Sequence, residues 1–161
     1  MGNGMINARA ETVAEKPTFR AAFRARRCLV AADGFYEWQK APDGSKIPHH
    51  IRFEDDAPFA IAGLWDRWNT PDGGALETCA LITTDANRVV APIHHRMPVI
   101  LEPTAYDTWL DTRISSPAVL EGLLRPYADI GLTAVSVGPR VNSARHDDAA
   151  CLEPASSGML L

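Results

Sequence analysis

The chain has 161 residues, 46% of them hydrophobic, which is enough to bury one core and too short to favour two, so a single domain over residues 1–161 is expected. No run approaches the roughly 18 uninterrupted apolar residues of a membrane-spanning helix, and the N-terminus lacks the basic, apolar, small-residue order of a signal peptide. A membrane partner is therefore not expected, and a cytoplasmic, reducing location is. Cys28, Cys79 and Cys151 are odd in number, far apart and in no CxxC pair, which argues against a disulfide framework and a zinc site. The formal net charge of -4 argues mildly against a nucleic-acid partner, but residues 1–31 hold Arg9, Lys16, Arg20, Arg24, Arg26 and Arg27 against Glu11 and Glu15, six minus two or +4. That stretch is either a solvated basic surface or a binding face.

In chain order, Pro17 to Arg27 reads as a short helix with Phe19, Ala22 and Phe23 on one face and basic residues on the other. Cys28 to Ala32 and Phe35 to Trp38 read as extended segments joined through the turn-forming Asp33-Gly34. Candidate strands follow at 48–53, 59–68 and 77–84, with turns at Pro42-Asp43-Gly44-Ser45 and Pro71-Asp72-Gly73-Gly74, so the expectation is a run of antiparallel hairpins. Asp85 to Val90 suggests a capped helical turn. Pro92 to Pro98, bracketed by prolines, should be a loop entering a strand at Val99 to Leu101. Pro103 to Leu110 and Pro117 to Leu124 read as amphipathic helices, and Leu132 to Val137 as a last strand before an irregular acidic tail. The fold class is α+β, a mainly antiparallel sheet or partly closed barrel flanked by short helices.

Four sets of residues carry possible chemistry. Glu37, between Tyr36 and Trp38, is either a partly desolvated carboxylate suited to proton transfer or a strand residue alternating outward. His94-His95 beside Arg96 offers an acid or base next to an anion-binding guanidinium, or else exposed loop histidines. With His49-His50 a four-histidine zinc site is conceivable but has no tetrahedral spacing. Asn7 with Arg9, and Asn142 with Arg140, are polar groups between apolar neighbours. Cys28 follows Arg26-Arg27, which would lower a thiol pKa, yet it heads an apolar strand, as a buried structural cysteine does. No GxSxG, P-loop, GxGxxG or HExxH pattern is present.

The order of these signals is informative. Ile6-Asn7-Ala8-Arg9-Ala10-Glu11-Thr12 precedes Arg27-Cys28-Leu29-Val30 and Asp33-Gly34-Phe35-Tyr36-Glu37-Trp38; then come Phe59 to Trp65, Ile93-His94-His95-Arg96-Met97-Pro98 and Val141-Asn142. Over nearly its whole length the chain resembles the SOS response-associated peptidase family. The resemblance implies a peptidase- or lyase-type protein that shields abasic sites in single-stranded DNA without cofactor or metal. Its nucleophile is a cysteine directly after the initiator methionine, whose α-amine and thiol form a thiazolidine with the ring-opened sugar. It further implies that Asn7 orients that cysteine, that Glu37 assists proton transfer and that His94 is the acid-base residue on the sugar hydroxyl. Arg9 and Arg96 would grip phosphates, and Trp38 would lie near the DNA path.

Family members begin Met-Cys-Gly-Arg and place a Trp-Gly-Leu strand and DNA-wedging tryptophans ahead of the Asn-Ala-Arg motif, whereas here the second residue is Gly2. The expectation is that Cys28, Cys79 and Cys151 cannot supply an α-amine beside a thiol, so this chain alone forms no thiazolidine. Three readings follow: an abasic-site crosslinking protein once its N-terminal cysteine is present, a non-catalytic single-strand-binding remnant, and a thiol hydrolase centred on Cys28.

Overall fold

The computed structural model describes residues 5–155, which divide into two units, each with its own sheet. The first is built from residues 5–32, 59–85 and 96–128, the second from residues 33–58, 86–95 and 129–155. The ends of the expected domain, Gly2 among them, lie outside the described residues.

In the first unit, β5 (Phe59–Asn69) and β6 (Ala75–Asp85) form the long hairpin expected from Pro71-Asp72-Gly73-Gly74, where Gly73 takes a φ of +86° that favours glycine. The two strands pair from Asn69↔Ala75 to Gly63↔Leu81 and then part. Val99 fills the gap: its N–H donates to the Ile82 carbonyl at 2.8 Å and its carbonyl accepts from Ala62 N–H at 2.9 Å. The flanking residues become short strands, β7 (Arg96–Pro98) on β6 and β8 (Ile100–Leu101) on β5. Arg96-Met97-Pro98 is therefore strand where the bracketing prolines pointed to loop. A proline costs little in so short a pairing.

β1 (Asn7–Arg9) runs parallel to β6, and β2 (Arg27–Ala32) antiparallel to β5. α1 (Pro17–Ala25) has proline in its first turn and buries Phe19, Ala22 and Phe23, as its periodicity predicts. These join Ala8, Ala62, Leu64, Ala80 and Ile82 from the sheet, Trp109 from α2 (Tyr106–Leu110) and Leu120 from α3 (Pro117–Glu121) in one core. The helix expected over Pro103 to Leu110 is a 3-10 turn, Pro103–Ala105, that runs into α2, whereas α3 is shorter than expected.

Arg27 does not extend the basic face. It is buried and donates to the carbonyls of Phe23, Arg24, Trp109, Asp111 and Ile114 at 2.6 to 3.1 Å, with its guanidinium 5.7 Å from the Trp109 ring centroid. It satisfies carbonyls left open at the ends of α1 and α2, which a planar five-donor group can do at once.

The second unit is an antiparallel sheet in the order β3-β4-β9, from β3 (Phe35–Lys40), β4 (Lys46–Phe53) and β9 (Leu132–Ser136). The β3–β4 turn is the one read at Pro42 to Ser45, with Gly44 at φ +87° and Asp43 Oδ1 accepting from the Ser45 N–H and hydroxyl at 2.9 and 2.7 Å. Asp33-Gly34, by contrast, is not a hairpin turn, since β2 pairs β5 while β3 pairs β4. Glycine is needed there for space: a Cβ on Gly34 would sit 2.0 Å from Nε2 of the buried His50. The stretch after β6 forms the capped turn expected there: Asn87 Oδ1 accepts from Val90 N–H at 3.0 Å, and Ala91 N–H donates to Asn87 O at 2.8 Å. The tail carries 3-10 turns at Pro139–Asn142 and Ala149–Leu152. The expected α+β class with mainly antiparallel strands holds, β1 with β6 being the parallel pairing among the described residues. No described helix is long and apolar enough to cross a membrane.

Candidate functional site

The expected site residues fall into two groups, Asn7, Arg9 and Arg96 in the first unit and Glu37, Trp38 and His94 in the second.

In the second unit, strand alternation turns Tyr36 and Trp38 to one face and Glu37 to the other. Tyr36 packs on His50, with ring centroids 5.2 Å apart. Glu37 is not turned fully to water: its side chain is 23% exposed, with Oε1 3.7 Å from His94 Nδ1. The loop bearing His94 is fixed by His94 N–H donating to Val90 O at 2.9 Å and by Gln39 Nε2 donating to Pro92 O at 3.1 Å. The imidazoles of His94 and His95 lie 4.5 Å apart, centroid to centroid. Burial pushes the Glu37 carboxyl above the ordinary carboxylate range, opposed by the charges of His94 and His95 and by a backbone hydrogen bond at Trp38. A carboxyl raised in this way holds its proton more readily than a solvated one, and it lies beside an imidazole.

Trp38 donates its indole N–H to Asn142 Oδ1 at 2.7 Å. Arg140, the neighbour read with Asn142 in the sequence, is held by Asp148, with Nε at 2.8 Å from Oδ1.

In the first unit, Asn7 and Arg9 are exposed on β1 while Ala8 between them is in the core. Their register partners on β6 are Leu81 and Thr83, so both point to the sheet face away from that core. Arg96 is more densely bonded. Its Nη1 and Nη2 reach Glu11 Oε1 and Oε2 at 2.6 and 3.0 Å, Nη1 also meets Asp85 Oδ1 at 2.9 Å, and Nη2 donates to Thr83 O at 2.6 Å. The bidentate bond to Arg96 holds the Glu11 carboxyl below its ordinary range, and Glu11 in turn raises Arg96 further.

Cys28 is half-buried and its thiol is pushed up, first by burial and then by Cys79, the reverse of what a reactive thiolate needs. Among the described residues no group of three or more His, Cys, Asp and Glu side chains could hold a metal ion.

A family model described as SOS response associated peptidase (SRAP) matches residues 1–144. The chain belongs to this family. It is 42% identical over 153 residues to the abasic site processing protein YoqW of Bacillus subtilis (strain 168), covering 95% of this chain and 68% of that protein. To the abasic site processing protein HMCES of Gallus gallus it is 36% identical over 174 residues, covering 95% of this chain and 51% of that protein. A crystal structure of a protein from Bacteroides thetaiotaomicron matches with a TM-score of 0.85 at 34% identity, covering 93% of this chain and 66% of that one. This SRAP-family chain thus spans about two thirds of the bacterial relatives and about half of the avian one.

Two pairings escape a reading from sequence. Glu11, seen there only as part of a motif, is the carboxylate on Arg96, and Asn142, named there beside Arg140, is the acceptor for Trp38; the partners are 85 and 104 positions apart. No local periodicity signals pairings at that separation.

Proposed function

We propose that this SRAP-family chain belongs to a protein that processes abasic sites in single-stranded DNA, with Glu37 and His94 as its proton-transfer pair. The observation that carries the reading is their geometry: a half-buried carboxyl, raised by burial, 3.7 Å from an imidazole on a loop fixed by hydrogen bonds. A substrate hydroxyl placed about 2.8 Å from each would be bonded to both. The names of the Bacillus and avian relatives support the substrate class.

In this reading the α-amine of an N-terminal cysteine adds to the sugar aldehyde, the carbinolamine oxygen is protonated and leaves as water, and the thiol adds across the resulting C=N to close a thiazolidine. Protons must reach an oxygen and leave a nitrogen at nearly one pH, which suits a raised carboxyl and a histidine. Asn7 orients the cysteine, exposed Arg9 binds phosphate, Arg96 does so only by exchanging one of the carboxylates of Glu11 and Asp85 that now hold it, and Trp38 supports the strand. The place of action is the cytoplasm, at the nucleoid during DNA damage.

The test is a form of the chain carrying Met-Cys-Gly-Arg and its following segment upstream, incubated with an abasic single strand and run on a denaturing gel. A covalent band is expected, with Glu37→Gln and His94→Gln slowing its appearance by about 10²–10⁴-fold. An extended form that never crosslinks, yet binds abasic and intact strands equally, would replace this reading with a non-catalytic single-strand binder.

A further inference from the structure

The β3–β4 hairpin carries a surface that the proton-transfer pair does not use. Trp38, Ser45, Lys46 and Asn142 line an open cavity of about 520 Å³, within the roughly 300–1,000 Å³ of small-molecule sites. An indole N–H can only donate, so the Asn142 atom facing it at 2.7 Å is the carbonyl oxygen. Two consequences follow. Trp38 has its polar edge occupied and offers its ring face, held in one orientation. Asn142, its oxygen engaged, has its two amide hydrogens left to donate. The Ser45 hydroxyl already donates to Asp43 at 2.7 Å, so it adds acceptor capacity only.

The register supplies a second, independent observation. Trp38 faces Pro48 and Lys40 faces Lys46, so by strand alternation Trp38, Lys40 and Lys46 share one face, with the lysines about 6.6–6.8 Å further along the strands than the indole. Both lysines are exposed, and among the described residues neither is in an ion pair. Like charges directly opposite each other repel, and a bound anion removes that repulsion. An aromatic face with an amide donor at its edge, and two ammonium groups two residues further along the strands, are what a nucleotide needs: stacking for the base, charge for the phosphate, and a donor for the acceptor edge that every base has.

We infer that this surface binds one nucleotide of the DNA strand, the base on Trp38 and Asn142 and its phosphate on Lys40 and Lys46, with Asn142 also acting as the positioning residue for Trp38. The inference rests on the single-strand reading above and deepens it, since Lys40, Lys46 and Asn142 gain roles there.

The experiment is fluorescence anisotropy of a labelled oligothymidylate, with a tetrahydrofuran in place of one internal nucleotide, bound to the full chain between about 50 and 200 mM salt. Lys40→Gln with Lys46→Gln should weaken binding and flatten the slope of log affinity against log salt by about 0.7, the value for one single-strand phosphate that is no longer neutralised. Asn142→Ala should weaken binding about tenfold at unchanged slope, and should add little to the effect of Trp38→Ala, because both act through one ring. Melting curves of the lysine variants, which change exposed side chains only, confirm that the hairpin still folds. If the wild-type chain binds the strand while these variants match it in affinity and slope, the subsite is wrong and the wider reading stands. A wild-type chain without affinity for the strand removes both.

Discussion

Burial holds the Glu37 carboxyl above its ordinary range, so near neutral pH more of it keeps its proton than of a solvated glutamate. The linkage has a definite sign. A folded-state pKa above the unfolded one stabilises the protein below the unfolded value, and that contribution is lost as pH rises through the raised one. Glu37→Gln should therefore gain stability over the wild type as pH rises through that window, with the two converging at lower pH. Urea midpoints measured across the range check it, and a difference independent of pH would mean that Glu37 titrates as a solvated group. Glu11 has the opposite sign, since Arg96 lowers its carboxyl. Its contribution is present above the unfolded pKa and lost as pH falls through the depressed one. Glu11→Gln should remove that acid-side loss and, at neutral pH, cost about 1 kcal/mol, as befits a charge-assisted pair whose Glu11 side chain is 47% exposed. At this scale the sequence was informative where chemistry is local. Alternation left open whether Glu37 turns to water, and its side chain proves largely covered; His94 was named through the Arg-Met-Pro motif of the family resemblance, and the structure brings it beside Glu37. Glu11 and Asn142 were not legible as partners, because their roles depend on which distant strand the chain brings beside them.

The elements were legible where a turn dictates its own residues and illegible where a residue serves a distant neighbour. Pro42 to Ser45 and Pro71 to Gly74 form the turns their sequences require, with Gly44 and Gly73 at positive φ. Asp33-Gly34 has the same appearance but a different cause, the ring of His50 against Gly34. Gly34→Ala should therefore destabilise the second unit by about 1–3 kcal/mol through overpacking. In Gly34→Ala with His50→Ala the two costs should fall short of additive, because the clash is gone. Additive costs, read from denaturant midpoints, would show that Gly34 is needed for its backbone instead. Arg27 is the corresponding case in the first unit. It reads as one more basic residue after a helix, yet it is the group on which two helix ends converge. Arg27→Met keeps the packing volume and loses five donated bonds, at a cost of about 3–5 kcal/mol at roughly 1 kcal/mol each. Arg27→Lys should recover only part of it, since an ammonium has three donors and no planar fork.

Across the whole molecule, the basic stretch of residues 1–31 is only partly available to a ligand. Arg27 is buried among carbonyls, and Arg26 lies 3.3 Å from Asp66. Such internal neutralisation cannot be read from a charge count, which treats every arginine alike. The α+β class was legible because hairpin turns and helix starts are local; its division into two sheets was not, because strand partners are chosen by packing rather than by sequence order. That division has a measurable consequence. The main apolar cluster, from Ala8 through Leu124, lies entirely within the first unit. The second unit rests on a three-stranded sheet in which His50 is buried and the burial of Glu37 opposes its charge. Local opening energies follow the extent of buried apolar packing, so native-state hydrogen exchange should find the β5 and β6 amides near Ala62, Leu64 and Ala80 opening only with global unfolding. Those of β3 and β4 should exchange through a lower-energy opening. The same unit carries Glu37, His94 and Trp38, so the residues proposed to act on DNA would sit where opening is easiest, as binding elements often do. Glu37→Gln, by removing a carboxylate whose ionisation burial disfavours, should raise the β3 and β4 exchange energies toward those of β5 and β6 as pH rises through the raised pKa of Glu37. Equal protection of both sheets in the wild type would instead mean that the two units open together.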